Sequence, residues 1–459
     1  MEESLLAAVD SRHTRRSLLR TMSWGWGALA LPHVMRMRAS VGATSTREPT
    51  SLILLWQDGG PSHFETFDPK PDAPSEFRGE LSSIATSLPG VRFCEILPQL
   101  AGIAHKFSVI RSLHQPSSNH VSATRVFISG HPTTLETGSP THPDLGAVIH
   151  RVRASRLSRV PHYVALKDAY ATGLHRGGTA YLGSSASPFV AEPDSLGVEY
   201  RVNDLQRDDR LSEQRFQSRL SLRGSLNRFP DTVDSFGQMA ALDHFHDRAA
   251  EMLRAADAQR AFELAQEPPA VRDRYGRHRT GQQALLARRL VEAGVDVVAV
   301  RFSPDARGDD DRGGAGWDDH ADVGNIFEKM RRRGPRFDQA LSALIEDLAE
   351  RGLNNRVLVV VAGEFGRTPR ISYTNGVPGR DHWGQCGCAL VYGGGLRMGQ
   401  VVGASNRKGE FPVESPTSPQ DLLATIYRFL DIDPSQNFLD YNGRPLPILP
   451  FGRPIPELI

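Results

Sequence analysis

The chain has 459 residues, enough to bury the core of one large α/β domain or of two smaller ones. Hydrophobic residues make up 39% and charged residues 23%, the composition of an ordinary globular protein. With 54 Lys and Arg against 53 Asp and Glu, the net charge is close to zero, which excludes the basic footprint expected of a nucleic-acid-binding protein.

The first 43 residues are typical of an export signal. Arg15-Arg16 lie in a Thr-Arg-Arg-Ser-Leu-Leu sequence, a moderately apolar stretch runs from Trp24 to Pro32, and small residues follow at 41–43. We therefore predict a twin-arginine-type signal peptide over residues 1–43 and an exported protein, periplasmic or extracellular. The alternative is a basic amphipathic helix. No other stretch has the roughly 20 apolar residues that cross a bilayer, so no stable membrane span is predicted.

From residue 44 to 459 the pattern predicts one domain in which strands and helices alternate, which is typical of βαβ units and a parallel sheet. The predicted strands are Ser51–Trp56, Phe107–Ile110, His162–Leu166, Val295–Phe302, Val357–Ala362 and Ala389–Tyr392. The predicted helices are Leu97–Ala104, Val121–Ile128, Asp144–Val152, Gly281–Glu292, Phe337–Arg351 and Gln420–Leu430. From about residue 208 to 267, the density of Arg, Asp, Glu, Leu and Ala predicts a helical insertion on one sheet face.

Four of the predicted strands are followed by residues that bind metals or anions. They are Asp58 after the first strand, Arg111 and His114 after the second, Asp318 and His320 in the loop after the fourth, and Glu364 after the fifth. Ligands of open parallel α/β sheets bind outside the carboxyl ends of the strands. We therefore predict that these residues, far apart in sequence, share one polar site.

Several of these side chains are suited to a metal ion. Asp58 precedes two glycines that allow close backbone approach, and the Asp318/His320 pair suits zinc, manganese or iron. Glu364 follows the most hydrophobic run, where an unpaired carboxylate is costly, so it is either metal-bound or paired with a base such as Arg367. His382 is a fourth candidate ligand, with Asp381 beside it. The alternatives are a turn-capping Asp58 and a structural histidine.

Three arginines are candidates for contacting an anionic substrate. Arg111, Arg367 and Arg380 each lie within three residues of a candidate site residue. A guanidinium group matches phosphate or sulfate oxygens with paired hydrogen bonds. Together with His114, these arginines are predicted to bind the substrate. A helix that begins near His120 adds free backbone N–H groups that favour an anion.

Five motifs are familiar in combination and span nearly the whole chain after residue 44. They are Gln57-Asp58-Gly59-Gly60-Pro61-Ser62-His63, Asp68-Pro69-Lys70-Pro71, Trp317-Asp318-Asp319-His320, Glu364-Phe365-Gly366-Arg367-Thr368-Pro369-Arg370 and Gly379-Arg380-Asp381-His382-Trp383. Together they resemble the bacterial exported family called domain of unknown function 1501, which is similar to the alkaline phosphatase and sulfatase superfamily. The resemblance implies an alkaline-phosphatase-like α/β/α sandwich around a large, mostly parallel sheet, with one or two metal ions at the strand ends.

The same resemblance implies roles for individual residues. Metal ligands would be Asp58, Asp318, His320, Glu364 and His382. The superfamily usually has Asp-His where this chain has Glu364-Phe365, so one imidazole ligand is missing. The nucleophile position falls on His120 instead of a Ser, Thr or Cys, and Asn119 and Ser122 lie close enough for a shift in register to supply a hydroxyl. The catalytic candidates are therefore His120, Ser122 and Asn119.

These observations lead to two functional hypotheses. The first is an exported metal-dependent hydrolase of phosphate or sulfate esters, acting on a small-molecule or glycan ester. Its cofactor would be a divalent metal, with zinc favoured over calcium, magnesium or manganese. The alternative is a non-catalytic exported protein of the same fold that binds metal or an anionic glycan, which the missing nucleophile favours. A mutase or transferase of the same superfamily is a third interpretation.

Overall fold

The computed structural model describes residues 49–136, 138–156, 158, 160–166, 177–191, 256–303 and 316–459, with the isolated positions 214, 215, 218 and 222. The predicted signal peptide over residues 1–43 and most of the predicted insertion over 208–267 lie outside the described residues. In the described residues, no helix is both long and apolar enough to cross a membrane.

The centre of the fold is an eight-stranded sheet in the order β14-β4-β13-β8-β1-β7-β5-β6. The strands of the described chain are β1 (Ser51–Trp56), β2 (Ser83–Ala85), β3 (Arg92–Cys94), β4 (Ser108–Leu113), β5 (Tyr163–Leu166), β6 (Phe189–Ala191), β7 (Val297–Arg301), β8 (Val357–Ala362), β9 (Gly366–Arg367), β10 (Ser372–Thr374), β11 (Val377–Gly379), β12 (His382–Trp383), β13 (Gly387–Gly393), β14 (Val401–Val402), β15 (Ala404–Ser405), β16 (Pro412–Glu414), β17 (Asn437–Leu439) and β18 (Pro445–Pro447). Only β13 runs antiparallel to its neighbours in this sheet, while the other pairs are parallel. The predicted large, mostly parallel sheet is confirmed.

Helices cover both faces of the sheet. The α-helices of the described residues are α1 (Ser75–Arg78), α2 (Pro98–Gly102), α3 (His120–Ser129), α4 (Leu145–Arg153), α5 (Ala256–Phe262), α6 (Pro269–Tyr275), α7 (Arg279–Glu292), α8 (Ile326–Glu350) and α9 (Pro419–Phe429). Side chains alternate along β1, so Ile53 packs in one apolar core with α7 and α8, and Leu52 packs in a second core with α4 and α9. Strands buried on both faces are apolar throughout, which explains the continuous hydrophobic runs of the sequence.

Two elements extend beyond their predicted bounds by three residues or more at one end. The predicted strand Phe107–Ile110 is β4, which continues to Leu113, so Arg111 lies inside the strand and not after it. The predicted helix Phe337–Arg351 is the second half of α8, which begins at Ile326 and contains Pro335. Asn325 caps its N-terminus by accepting from two backbone N–H groups, and tertiary packing of the apolar face outweighs the missing proline donor.

Candidate metal centre

Four side chains from distant parts of the chain converge at the carboxyl ends of the central strands. His120, Asp318, His320 and His382 each offer one potential ligand atom, and these atoms all lie within 4.8 Å of one another. His120 opens α3, and Asp318 and His320 follow β7 in the chain. His382 arrives on β12, which pairs antiparallel with β9 just beyond β8. The neighbouring order β8-β1-β7 brings these loops to one edge of the sheet.

The polar atoms of the group lie slightly closer together than the ligands of a bound cation would. Asp318 Oδ1 lies 3.0 Å from His320 Nε2 and 3.2 Å from His382 Nε2, and its Oδ2 lies 3.3 Å from His120 Nε2. The two Nε2 atoms of His320 and His382 are 2.7 Å apart. A tetrahedral zinc ion with ligands at about 2.1 Å separates them by roughly 3.4 Å. The donor set of imidazoles and one carboxylate suits zinc.

Hydrogen bonds behind the group set the protonation of two imidazoles. His320 Nδ1 lies 2.9 Å from Asp381, and His120 Nδ1 lies 2.7 Å from Glu364. A carboxylate accepts only, so each Nδ1 carries the proton, and in the neutral tautomer each Nε2 lone pair faces Asp318. Lone pairs aimed at a carboxylate require a positive charge between them, either a metal ion or added protons. The residues therefore fit a divalent cation.

Without a metal, protonation supplies this charge. Burial alone would lower the pKa of His120, but its hydrogen bonds to Asp318 and Glu364 and their charges raise it to about 9. Burial alone would likewise raise the pKa of Asp318, yet hydrogen bonds from the surrounding histidines and the charge of Arg367 hold it far below its usual range. The hydrogen bond to Asp318 raises the pKa of His320 despite its burial. Burial and the charges of Arg367 and His120 instead lower the pKa of His382. The group therefore stabilises positive charge on His120 and His320.

Asp58 and Glu364 lie beside the four-residue group. Glu364 Oε1 accepts from the backbone N–H of Gly59 at 2.9 Å and from His120, and its buried Oε2 has no hydrogen-bond partner among the described residues. Asp58 Oδ2 lies 2.9 Å from the guanidinium of Arg301. Burial and the charge of Glu364 raise the pKa of Asp58 to about 7. Both predicted ligands are thus close to the centre, with Glu364 orienting His120.

Arg367 holds the loop after β1 in place. It is fully buried and donates to the carbonyl oxygens of Gly59 and Gly60, with the Gly60 distance at 2.7 Å, and to Asp318 at 2.6 Å. Gly60 has a φ of 82°, and a Cβ there would lie 2.5 Å from the ring of Phe365. The ion-pair partner of Arg367 is therefore Asp318, and Glu364 bonds elsewhere.

The other predicted anion-binding side chains also have protein partners. Arg380 is fully buried and donates to Glu65 at 2.9 Å and to backbone carbonyl oxygens. Arg111 lies 3.5 Å from Asp68 and donates to the carbonyl of Arg92. These contacts favour structural roles for both arginines.

His114 is placed differently, since it lines a cavity beside Glu364. Its cavity is shared with Glu364 and Phe365, and Gln115 donates to the carbonyl oxygen of Glu364. His114 and Gln115 also line a larger groove of about 850 Å³ between the start of α3 and α9. Residues 132–136 form another part of its wall. The four metal-binding side chains line neither cavity, and the groove lies beside the N-terminal turn of α3 that carries His120.

The remaining catalytic candidates shape the start of α3. The side chain of Asn119 caps the helix by accepting from the N–H groups of Val121 and Ser122. The Ser122 hydroxyl is 2.7 Å from that of Ser117, and Ser122 is 3% exposed. These contacts fix the position of His120 at the first turn, and they leave Ser122 engaged within the helix terminus.

Two residues at the centre escaped the sequence analysis, and a third, Asp381, has a different partner from the one expected. Arg301 ends β7, and its place after an apolar run was the same signal that identified Asp58. Phe365 packs against two imidazoles, with ring centroids 5.1 Å from His120 and 4.6 Å from His382. Asp381 is interpreted from the sequence as orienting its neighbour His382 or binding a metal directly, but its carboxylate contacts Nδ1 of His320, and no feature of the sequence indicates that contact.

The chain matches the family described as "Protein of unknown function (DUF1501)" over residues 49–459, and it belongs to that family. The resemblance found in its motifs is confirmed. No curated protein matches the chain.

Several solved structures are similar to it at low sequence identity. A sulfatase from Pseudoalteromonas sp. has 13% identity and a TM-score of 0.38, with 86% of this chain and 70% of that chain covered. A phosphonate monoester hydrolase from Silicibacter pomeroyi has 12% identity and a TM-score of 0.31, covering 84% and 74%. A protein in the alkaline phosphatase superfamily from Vibrio parahaemolyticus has 11% identity and a TM-score of 0.35, covering 85% and 68%. The chemistry of this chain therefore has to be argued from its own side chains.

Proposed function

We propose that the protein is an exported, metal-dependent hydrolase of phosphate or sulfate esters. The observation that supports this proposal is the convergence of His120, Asp318, His320 and His382, whose ligand atoms lie within 4.8 Å of one another. A bound divalent ion, zinc in this proposal, supplies Lewis acidity that polarises the ester oxygens and activates water.

The protein side chains position this chemistry. Asp381 and Glu364 each hold one imidazole by its Nδ1–H, so that Nε2 faces the centre. Phe365 packs against His120 and His382 and limits their rotation. Water attacks the phosphorus or sulfur atom, the bond to the alcohol oxygen breaks, and the products are the free acid and the alcohol.

The groove next to the centre is suited to the organic part of the ester. It has a volume of about 850 Å³, and hydroxyl, imidazole and apolar side chains line it. His114 lies where this groove meets the cavity beside Glu364, so it is positioned to contact the substrate. A small-molecule or glycan ester would fit this wall chemistry.

The test is hydrolysis by the full chain after metal removal and reloading. We expect the zinc-loaded protein to hydrolyse p-nitrophenyl phosphate or p-nitrophenyl sulfate, and the Asp318→Asn variant to lose this activity. The matched control is Asp433→Asn, because Asp433 is exposed and, among the described residues, its side chain bonds only to Ser435. Zinc bound by the wild type without turnover of any phosphate or sulfate ester would contradict the hydrolase proposal.

One observation favours the second candidate, a non-catalytic protein that binds metal or an anionic glycan. The position expected for the nucleophile carries His120, which is held by Glu364 and Asp318, and the nearby Ser122 hydroxyl is engaged by Ser117. For this candidate, zinc and a sulfated or phosphorylated glycan bind, and no ester is cleaved. Calorimetric binding together with the hydrolysis assay separates the two functions.

Export is part of the proposal and is tested separately. The sequence up to residue 43 is fused to a reporter that is active only outside the cytoplasm. We expect export of the reporter, and we expect replacement of Arg15 and Arg16 by Lys to abolish it. Export that persists in the double-lysine variant would contradict a twin-arginine-type signal.

A further inference from the structure

We infer that Arg301 takes the place of a second cation, so that the centre holds one divalent ion per chain and Asp58 is not a metal ligand. The inference rests on the proposed metal site at His120, Asp318, His320 and His382. The contacts of the side chains at the strand ends favour one bound ion over two, and Arg301 supplies the second positive charge.

The position of Arg301 follows from the register of the sheet. β7 pairs parallel with β1, and Arg301 lies opposite Trp56, the last residue of β1. Asp58 comes two residues later on the same edge, and its Oδ2 is 2.9 Å from Arg301 Nη2. The Asp58 side chain is fully buried, and that of Arg301 is 15% exposed. The guanidinium is thus held against the carboxylate by strand pairing.

The charge of Arg301 cannot be removed by titration, because a guanidinium stays protonated in proteins. Within the described residues, Asp58 is its ion-pair partner, and its buried Nε–H has no hydrogen-bond acceptor. A divalent ion bound to Asp58 would lie next to the guanidinium of Arg301. It would also draw the negative charge of Asp58 away from that guanidinium, which would then have no counter-charge. Breaking a buried pair in this way costs about 3–5 kcal/mol, which opposes binding of a second ion.

Asp318 is also paired with an arginine, but Arg367 donates to several backbone carbonyl oxygens as well and keeps those bonds if a metal ion draws Asp318 away. Among the described residues, Arg301 has only its contact with Asp58.

Glu364, the other carboxylate near Asp58, has its Oε1 committed as well. This oxygen accepts from the backbone N–H of Gly59 and from Nδ1 of His120. A metal ion on Oε1 would displace the hydrogen bond that aims His120 at the four-residue group. Among the described residues, the one group of at least three ligand atoms within 4.8 Å of one another includes neither Asp58 nor Glu364. The buried Oε2 of Glu364 has no hydrogen-bond partner among these residues, so this oxygen and Asp58 are the groups that a second ion could use if Arg301 lost its charge.

The experiment counts metal ions bound to the full-length protein. Chelator-treated wild-type protein is reloaded with zinc and dialysed, zinc per chain is measured by elemental analysis, and affinity is measured by titration calorimetry. We expect one zinc per chain in the wild type. We expect Asp58→Asn to keep one zinc with an affinity within threefold, and Asp318→Asn to lose it. Circular dichroism and the thermal midpoint check that each variant is folded.

Variants of Arg301 test the exclusion of the second ion. Arg301→Gln removes the positive charge, and we expect its zinc content to rise toward two per chain. Arg301→Lys keeps the charge and is expected to remain at one. A count that stays at one in Arg301→Gln would contradict the assigned role.

The wild-type count is decisive even where a variant fails to fold. Two zinc ions per wild-type chain, or an affinity more than tenfold weaker in Asp58→Asn, overturns the inference and leaves the proposed metal site standing. No zinc on the wild type overturns the metal site itself, and the inference falls with it.

Discussion

Both ends of the parallel strands carry a cluster of Asp, His and Arg, but the clusters differ in how completely their polar atoms are paired. At the amino ends, Asp296 precedes β7, and its Oδ1 accepts from Arg153 at 2.6 Å and Arg156 at 3.1 Å. Its Oδ2 lies 2.5 Å from Nδ1 of His162, which precedes β5. At the carboxyl ends, the imidazoles around Asp318 point lone pairs at a carboxylate.

The difference separates a structural ion cluster from a candidate site made of the same residue types. The side chains of Arg153, His162 and Asp296 are at most 8% exposed. Those of His120 and Asp318 are 15% and 22% exposed. At the amino ends, both carboxylate oxygens of Asp296 are paired with basic side chains, which stabilises the fold. Convergent donors with access to solvent can instead accept a ligand. Residue type alone does not distinguish the two.

The largest expected effect is on stability, from Asp296→Ala. Removing this carboxylate leaves the buried Arg153 without its acidic partner, which should lower the free energy of unfolding by about 3–5 kcal/mol. Urea denaturation measures the loss, and zinc calorimetry on the folded fraction should give the wild-type affinity. A variant with unchanged stability but weakened zinc binding would reverse the roles of the two clusters.

The next largest effect is expected on zinc binding, from Asp318→Asn. The only carboxylate in the four-residue group is lost, so zinc affinity should fall by about 100-fold or more, roughly 2.7 kcal/mol. The rise in thermal midpoint on adding zinc to the wild type should disappear in this variant. Zinc-dependent stabilisation that survives would show that the ion binds elsewhere.

Asp381→Asn tests the positioning of an imidazole. Asp381 accepts from Nδ1 of His320 at 2.9 Å, and losing such a bond behind a ligand weakens metal binding by about 10- to 100-fold, roughly 1.4–2.7 kcal/mol. Calorimetry measures the change, with the exposed Asp433→Asn variant as control. Equal affinities in the two variants would remove Asp381 from the site.

Metal-free stability should depend on pH through His120. Because the folded protein raises the pKa of His120 from 6.5 to about 9, its contribution is complete below pH 6.5 and is lost as the pH rises through about 9. The loss should be on the order of 3 kcal/mol. His120→Gln should flatten this part of the profile measured by urea denaturation. A profile that is flat in the wild type would contradict the charged contact.

The smallest effect is expected from Ser122→Ala. The Ser122 hydroxyl bonds to Ser117 within the start of α3, so its removal should cost about 1 kcal/mol of stability. Hydrolysis of the best ester should stay within about threefold of the wild-type rate. A loss of several hundredfold would identify Ser122 as the nucleophile.

Local patterns in the sequence predicted the central strands and the polar residues at their ends. β1 and β8 were predicted with their exact bounds because a run of apolar residues buried on both faces is a strong local signal. The family and the mostly parallel sheet also followed from the sequence. Asp318, His320 and His382 were identified by residue type and position.

The tertiary structure alone determines which polar side chains pair with one another, because the paired atoms belong to residues that are up to hundreds of positions apart in the sequence. Arg367 bonds to Asp318 and to backbone carbonyls of the β1 loop, although Glu364 is its neighbour in sequence. Arg301 pairs with Asp58 because β7 lies beside β1 in the sheet. Sequence distance carries no information about such contacts. The order of the strands and the packing of the loops determine which polar atoms are paired. They also determine that the ligand atoms of His120, Asp318, His320 and His382 converge.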